Sequence, residues 1–152
     1  MWRRCKQPSP FHKPAPVRYT VNAMQKQKWM TRLQQHLQGR PEIVFAILYG
    51  SAAEGERFRD LDIGLFVKRT IVPPAHDFDY AFDLAETLQP LLPVPVDVHV
   101  INDAPLIFRY NVSRGVPLLV NDEESFIAFL TRTWDDFFDF QPVAMQYMRD
   151  LR

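Results

Sequence analysis

The chain is poor in the features that would place it outside the cell or in a membrane. Its single cysteine, Cys5, cannot form an internal disulfide, so a reducing, cytoplasmic setting is the expectation. Its longest apolar run, Ile43 to Tyr49, has seven residues, against roughly 20 for a membrane-spanning helix. No stretch near the start combines a charged head, an apolar run and a small-residue cleavage site, so no signal peptide is expected. His12, His36 and His76 share no ligand spacing, which argues against a zinc site. There is no internal repeat. Net charge is zero over 152 residues, but unevenly laid out. Residues 1–23 hold five basic residues and no acid, leaving 13 basic against 18 acidic residues in the remainder. That mildly acidic body argues against a broad nucleic-acid footprint.

What is present is one domain's worth of apolar sequence. Residues 1–23, with four prolines and no apolar period, read as a disordered basic tail. Two other readings stay open for them: a false start upstream of Met24, or a nucleic-acid-binding arm. The domain is expected over 24–152. Apolar residues at 29, 30, 33 and 37 mark a helix stopped by Gly39. "EIVFAILYG" reads as a buried strand and "DLDIGLFV" as a second. "DFDYAFDLAETLQPLL" reads as a helix ended by Pro90 and Pro93, and "VPVDVHVI" as a third strand. A short helix follows, with Asp103 as its cap, Pro105 in its first turn and Gly115 at its close. "VPLLV" reads as a fourth strand. A long helix or helix pair completes the chain, kinked or divided at Pro142. Its aromatics at 134, 137, 138 and 140 suit helix packing or an exposed anchor for a partner, with Asp135, Asp136 and Asp139 beside them. The order predicts an α/β (α+β) domain: a small mixed sheet with helices packed on one side.

Three aspartates carry the chemistry. Asp60 and Asp62, two apart on a strand, point the same way with Cα atoms roughly 6.5–7 Å apart. Two carboxylates so placed repel, and a hard cation such as Mg²⁺ relieves the repulsion while also binding substrate phosphates. The pair alone equally fits the solvated face of a strand. Upstream, Gly50 allows close backbone approach and Ser51 offers a hydroxyl to phosphate; a plain turn with a helix cap is the simpler reading. On the third strand Asp97 and His99 share the polar face between Val96, Val98 and Val100. If that strand lies beside the second, Asp97 completes a three-carboxylate cluster, as a general base or a further metal ligand.

"YGS…DLDIGLFV" followed by an aspartate-bearing strand resembles the polymerase-β-type nucleotidyltransferases. The stretch from "VDVHVINDAP" to "TWDDFFDF" is similar to their minimal nucleotidyltransferase (MNT) antitoxin subfamily, and the resemblance spans about residues 25–150. It implies the nucleotidyltransferase fold with C-terminal helices. It also implies an antitoxin that transfers AMP from ATP to a tyrosine of a HEPN-domain ribonuclease toxin, forming a complex with it. On that resemblance Gly50 and Ser51 hold the triphosphate, Asp60, Asp62 and Asp97 serve Mg²⁺, and Asp97 activates the tyrosine hydroxyl. The loop Ala52–Arg59 is shorter than the family's usual one, and Ala53 or Glu54 stands where an arginine is common. Two rival readings accompany this one: an antitoxin that blocks the toxin by binding alone, and a nucleotidyltransferase acting on a small molecule. The short body, with little outside the core to build an acceptor pocket, weighs against the latter.

Overall fold

The computed structural model describes residues 17–151. Two strands in the middle of the chain organise everything else: β2 (Ile43–Tyr49) and β4 (Leu61–Val67). They pair antiparallel at the centre of a four-stranded sheet ordered β5-β4-β2-β6, where β5 is Val96–Val100 and β6 is Val116–Val120. The pairing of β4 with β5 is parallel and that of β2 with β6 antiparallel, so the sheet is mixed, as expected.

Every residue of β2 is buried, which is the signature of a strand covered on both faces. One face packs Trp29, Leu33 and Leu37 of α1 (Ala23–Leu37) and Ala81, Leu84 and Leu88 of α3 (Asp77–Leu88). The other packs Val112 of α4 (Leu106–Ser113) and Phe129 of α5 (Glu123–Asp150) against Phe45, Ile47 and Tyr49. Helices therefore lie on both sides of the sheet and not on one. The second side is an aromatic layer: Phe45 stacks on Phe66 at 4.9 Å and meets Phe126 and Phe129 edge-on or tilted. A loop from β6 to α5 is tied down by Asn121, whose Nδ2 donates to the Ile43 carbonyl.

Ordered structure begins before residue 24. β1 (Tyr19–Thr20) pairs antiparallel with β3 (Arg57–Phe58), Val21 is buried, and the Asn22 side chain caps α1 by accepting from the Gln25 amide at 2.8 Å. Residues 19–22 thus belong to the fold and not to a tail. The expectation for residues 1–16 lies outside the described residues.

Two local expectations give way to tertiary partners. Asp103 does not cap α4, which starts behind Pro105. Its carboxylate is held instead by Arg69, which also grips Asp77 at the head of α3. Pro142 does not divide α5, which runs unbroken through it. The stretch around it is exposed, so the carbonyl one turn back that loses its amide partner stays open to water and the loss is tolerated. Of the α5 aromatics, Phe137 stacks on Tyr110 and Trp134 donates to Ser113 Oγ at 2.9 Å, while Phe138 and Phe140 are exposed.

Gly115, between α4 and β6, shows how tightly this second side is closed. A Cβ there would sit 2.2 Å from the Leu48 carbonyl oxygen, a backbone atom that cannot swing aside. Gly115→Ala is expected to destabilise the protein by about 1–3 kcal/mol, the usual range for overpacking; a thermal melt checks it, and an unchanged midpoint would contradict this packing.

Candidate active site

The site grows from the register of three strands. Tyr49, the last residue of β2, lies opposite Asp62 on β4, and Asp62 lies opposite Asp97 on β5. Side chains directly opposite on paired strands share a face. Tyr49, Asp62 and Asp97 therefore form a row across the sheet on its α4 side, with neighbouring strands about 4.8 Å apart. His99, two residues along β5, completes the surface: its Nε2 lies 2.9 Å from Asp97 Oδ2. The Phe108 ring, from α4, meets both Tyr49 and His99 edge-on, at 5.7 and 5.6 Å, and forms the wall.

The Gly-Ser turn comes to the same place. Gly50 follows Tyr49 with φ 74° and ψ −157°, a backbone conformation essentially restricted to glycine. A Cβ on it would lie 2.7 Å from Asp62 Oδ2, so the Asp62 carboxylate rests directly against the turn. Ser51 opens α2 (Ser51–Glu54) and is exposed, while Ala52 beside it is buried and pins the turn to the core. Asp60 sits in a bend one residue ahead of β4 and not in the strand itself. It is still close enough for its charge to act on Asp62.

The electrostatics of the row are unresolved by the protein alone. Burial raises the Asp62 carboxyl to about 6, with further contributions from Asp60 and Asp97; the His99 imidazole opposes them. Tyr49 is pushed up for the same reasons, burial first and then Asp62, Asp97 and Asp60. Among the described residues, no lysine or arginine forms an ion pair with Asp60, Asp62 or Asp97. Nor do three acidic, histidine or cysteine side chains close tightly enough on one point to hold a metal ion unaided. A cluster of oxygen donors whose repulsion lacks a counter-charge fits a hard divalent cation, with substrate phosphate oxygens supplying the missing ligands.

The structure thus brings Gly50, Asp62 and Asp97 together, with Ser51 and Asp60 at the rim. Tyr49 and Phe108 were not foreseen as part of the site. Tyr49 reads in sequence as the last member of a core strand, and its place just before the Gly-Ser pair is the only sign of more.

A model of the polymerase beta nucleotidyltransferase domain matches residues 31–124. The chain belongs to that family. No curated protein gives a significant match. Among solved structures, the nucleotidyltransferase is similar to a chain from a complex of a tri-AMPylated Shewanella oneidensis HEPN toxin with an MNT antitoxin. The TM-score is 0.62 at 20% identity, over 83% of this chain and 98% of that one. It is also similar to a chain from a toxin–antitoxin structure with AMP-PNP, with TM-score 0.61 and 20% identity over 80% and 97% of the two chains. A third likeness, to the MntA–HepT toxin–antitoxin, has TM-score 0.60 and 19% identity over 82% and 97%. At these identities the likeness establishes a shared fold, and it agrees with the mixed α+β architecture of the family. Among the described residues no helix is long and apolar enough to cross a membrane.

Proposed function

We propose that this nucleotidyltransferase is the antitoxin of a HEPN–MNT pair and transfers AMP from ATP to a tyrosine of the HEPN ribonuclease toxin. The observation that carries the reading is the contact of the Asp62 carboxylate with Gly50. It joins the acidic row to the Gly-Ser turn within one fold whose likenesses include MNT complexes. Asp60 and Asp62 are the residues that would hold Mg²⁺, with Asp97 as the third carboxylate. The ion would neutralise the charge that accumulates on the phosphates during transfer. Gly50 and Ser51 take the triphosphate, the glycine by letting the backbone approach and the serine by its exposed hydroxyl.

The tyrosine oxygen attacks the α-phosphorus, the bond from that phosphorus to the bridging oxygen breaks, and pyrophosphate leaves with the electron pair. The phenolic proton passes to Asp97, the carboxylate most open to an incoming hydroxyl, and His99 is hydrogen-bonded to receive or share it.

The test is transfer of label from α-³²P-ATP, with Mg²⁺, onto the HEPN toxin proposed as its partner. Label on a toxin tyrosine is the expected result. A stable complex without label would overturn catalysis and leave an antitoxin that acts by binding. The absence of both label and complex would remove both readings.

A further inference from the structure

We propose that the groove between α3 and the outer edge of β5 is the acceptor site. It would seat an extended, basic, tyrosine-bearing segment of the partner protein beside Asp97. The inference rests on the transferase reading above and adds where the acceptor lies.

Three observations converge on this groove. The first is the edge itself. β5 is the outermost strand of the sheet among the described residues. The Ile101 amide donates inward to the Leu65 carbonyl at 2.9 Å, so by the alternation of a parallel ladder the peptide groups of Val98 and Val100 face outward. The next outward amide, that of Val96, is closed by Gln89 Oε1 at 3.0 Å. Among the described residues the edge is therefore capped at one end and open beside His99. An open edge is a template on which an extended peptide adds as a further strand.

The second observation is an aromatic ledge. Phe78 and Phe82, one turn apart on α3, are 79% and 56% exposed, and their rings stack at 6.4 Å. Neither belongs to the buried side of α3, which is Ala81, Leu84 and Leu88. With the small side chain of Ala85 they border a cavity of about 310 Å³ whose opposite wall runs from Asp97 to Val100. The wall of the groove and the proposed proton acceptor are the same residue. A segment added along this edge would point alternate side chains to the two faces of the sheet: a tyrosine on the α4 side meets the Asp97 carboxylate, while the residues next to it lie on the Phe78–Phe82 ledge.

The third is charge. Asp79, Asp83 and Glu86 follow on the outward side of α3 beyond the two phenylalanines, all exposed. Asp77, nearer the core, is already neutralised by Arg69. The unneutralised acids flank the groove, and lysine or arginine residues beside the acceptor tyrosine would complement them.

The experiment compares wild type with Phe78→Ala/Phe82→Ala in the label-transfer reaction and in calorimetric titration with the HEPN toxin. Both rings are exposed, so the thermal midpoint should stay near that of wild type. The expected result is a rise of about tenfold or more in KM for the toxin, the loss of one or two aromatic contacts, with KM for ATP unchanged. Benzoylphenylalanine in place of Phe82 should cross-link to the toxin peptide that carries the labelled tyrosine. An unchanged KM for toxin, or a cross-link only to a peptide remote from that tyrosine, overturns the proposal. If wild type transfers no label, the enzymatic reading fails separately. The groove is then judged by the titration: tenfold weaker binding by the double variant supports it as the toxin's docking site, and unchanged affinity overturns it.

Discussion

Asp62→Asn should slow AMP transfer severely and at the same time raise the thermal midpoint of the metal-free protein. The two effects have one cause. Asp62 is half-buried, faces Asp97 across the sheet and feels Asp60 from the adjoining bend. Its carboxyl is raised to about 6 from an ordinary 3.8, so the folded protein holds this proton more tightly than the unfolded chain does. Stability linked to that proton is fully present below about pH 4. It is lost as pH rises through about 6 and stays lost at neutral pH. Asparagine keeps the shape and removes the charge. At pH 7.5 in EDTA the variant should therefore melt higher than wild type, by a few degrees, and the difference should shrink as pH is lowered from about 6 toward 4. Added Mg²⁺ should raise the wild-type midpoint, because a ligand that binds only the folded state stabilises it, and should leave the variant nearly unmoved. Transfer should fall by about a thousandfold, the scale of several kcal/mol of lost charge stabilisation. Scanning fluorimetry over pH beside the label-transfer rate checks all of it. A variant that melts lower than wild type at pH 7.5 would show that Asp62 is held for structure, not for a cation.

How far the sequence reveals this site depends on which interactions are local. The aspartates two apart, and Asp97 between valines, are visible because strand alternation is a property of neighbours. Their meeting was conditional on β5 lying beside β4, a pairing that no local pattern specifies; parallel register supplies it. The run "IVFAILY" is apolar at every position, which already implies cover on both faces. Helices on only one side was therefore the less consistent expectation, and α4 and α5 supply the missing layer. β1 and β3, two residues each, are too short to show any period. Asp103 has the composition of a cap but is captured by Arg69, 34 residues earlier in the chain. A local preference of roughly 1 kcal/mol is small enough for an exposed ion pair, worth up to about 1 kcal/mol, to rival it. The contact between Gly50 and Asp62 is likewise invisible in sequence, since it is made through space across two antiparallel strands. Tyr49 was hidden for the opposite reason, its local pattern being entirely that of core.

That contact makes Gly50→Ala the second substitution with a large expected effect, and one that separates backbone strain from site geometry. Alanine is strained at φ 74°, ψ −157°, at a cost of about 1–3 kcal/mol. For a chain of this length each kcal/mol lowers the midpoint by about 2–4 °C. The new methyl also meets Asp62 Oδ2 at 2.7 Å. The obstructed atom is the end of a side chain, so the carboxylate can swing away and the fold survives, but the row Tyr49–Asp62–Asp97 loses its middle member's position. A displacement of about 1 Å in such a site costs roughly a hundredfold in rate. Gly50→Ala should therefore lower the midpoint by several degrees and transfer by about a hundredfold. With Asp62→Ala already in place, only the backbone part of the stability loss should remain, because the atom that the methyl strikes is gone. The difference between the two backgrounds is the coupling energy of Gly50 with Asp62. A value indistinguishable from zero, or a Gly50→Ala protein that transfers AMP at the wild-type rate, would mean that the turn and the carboxylate do not act together and that the triphosphate lies elsewhere.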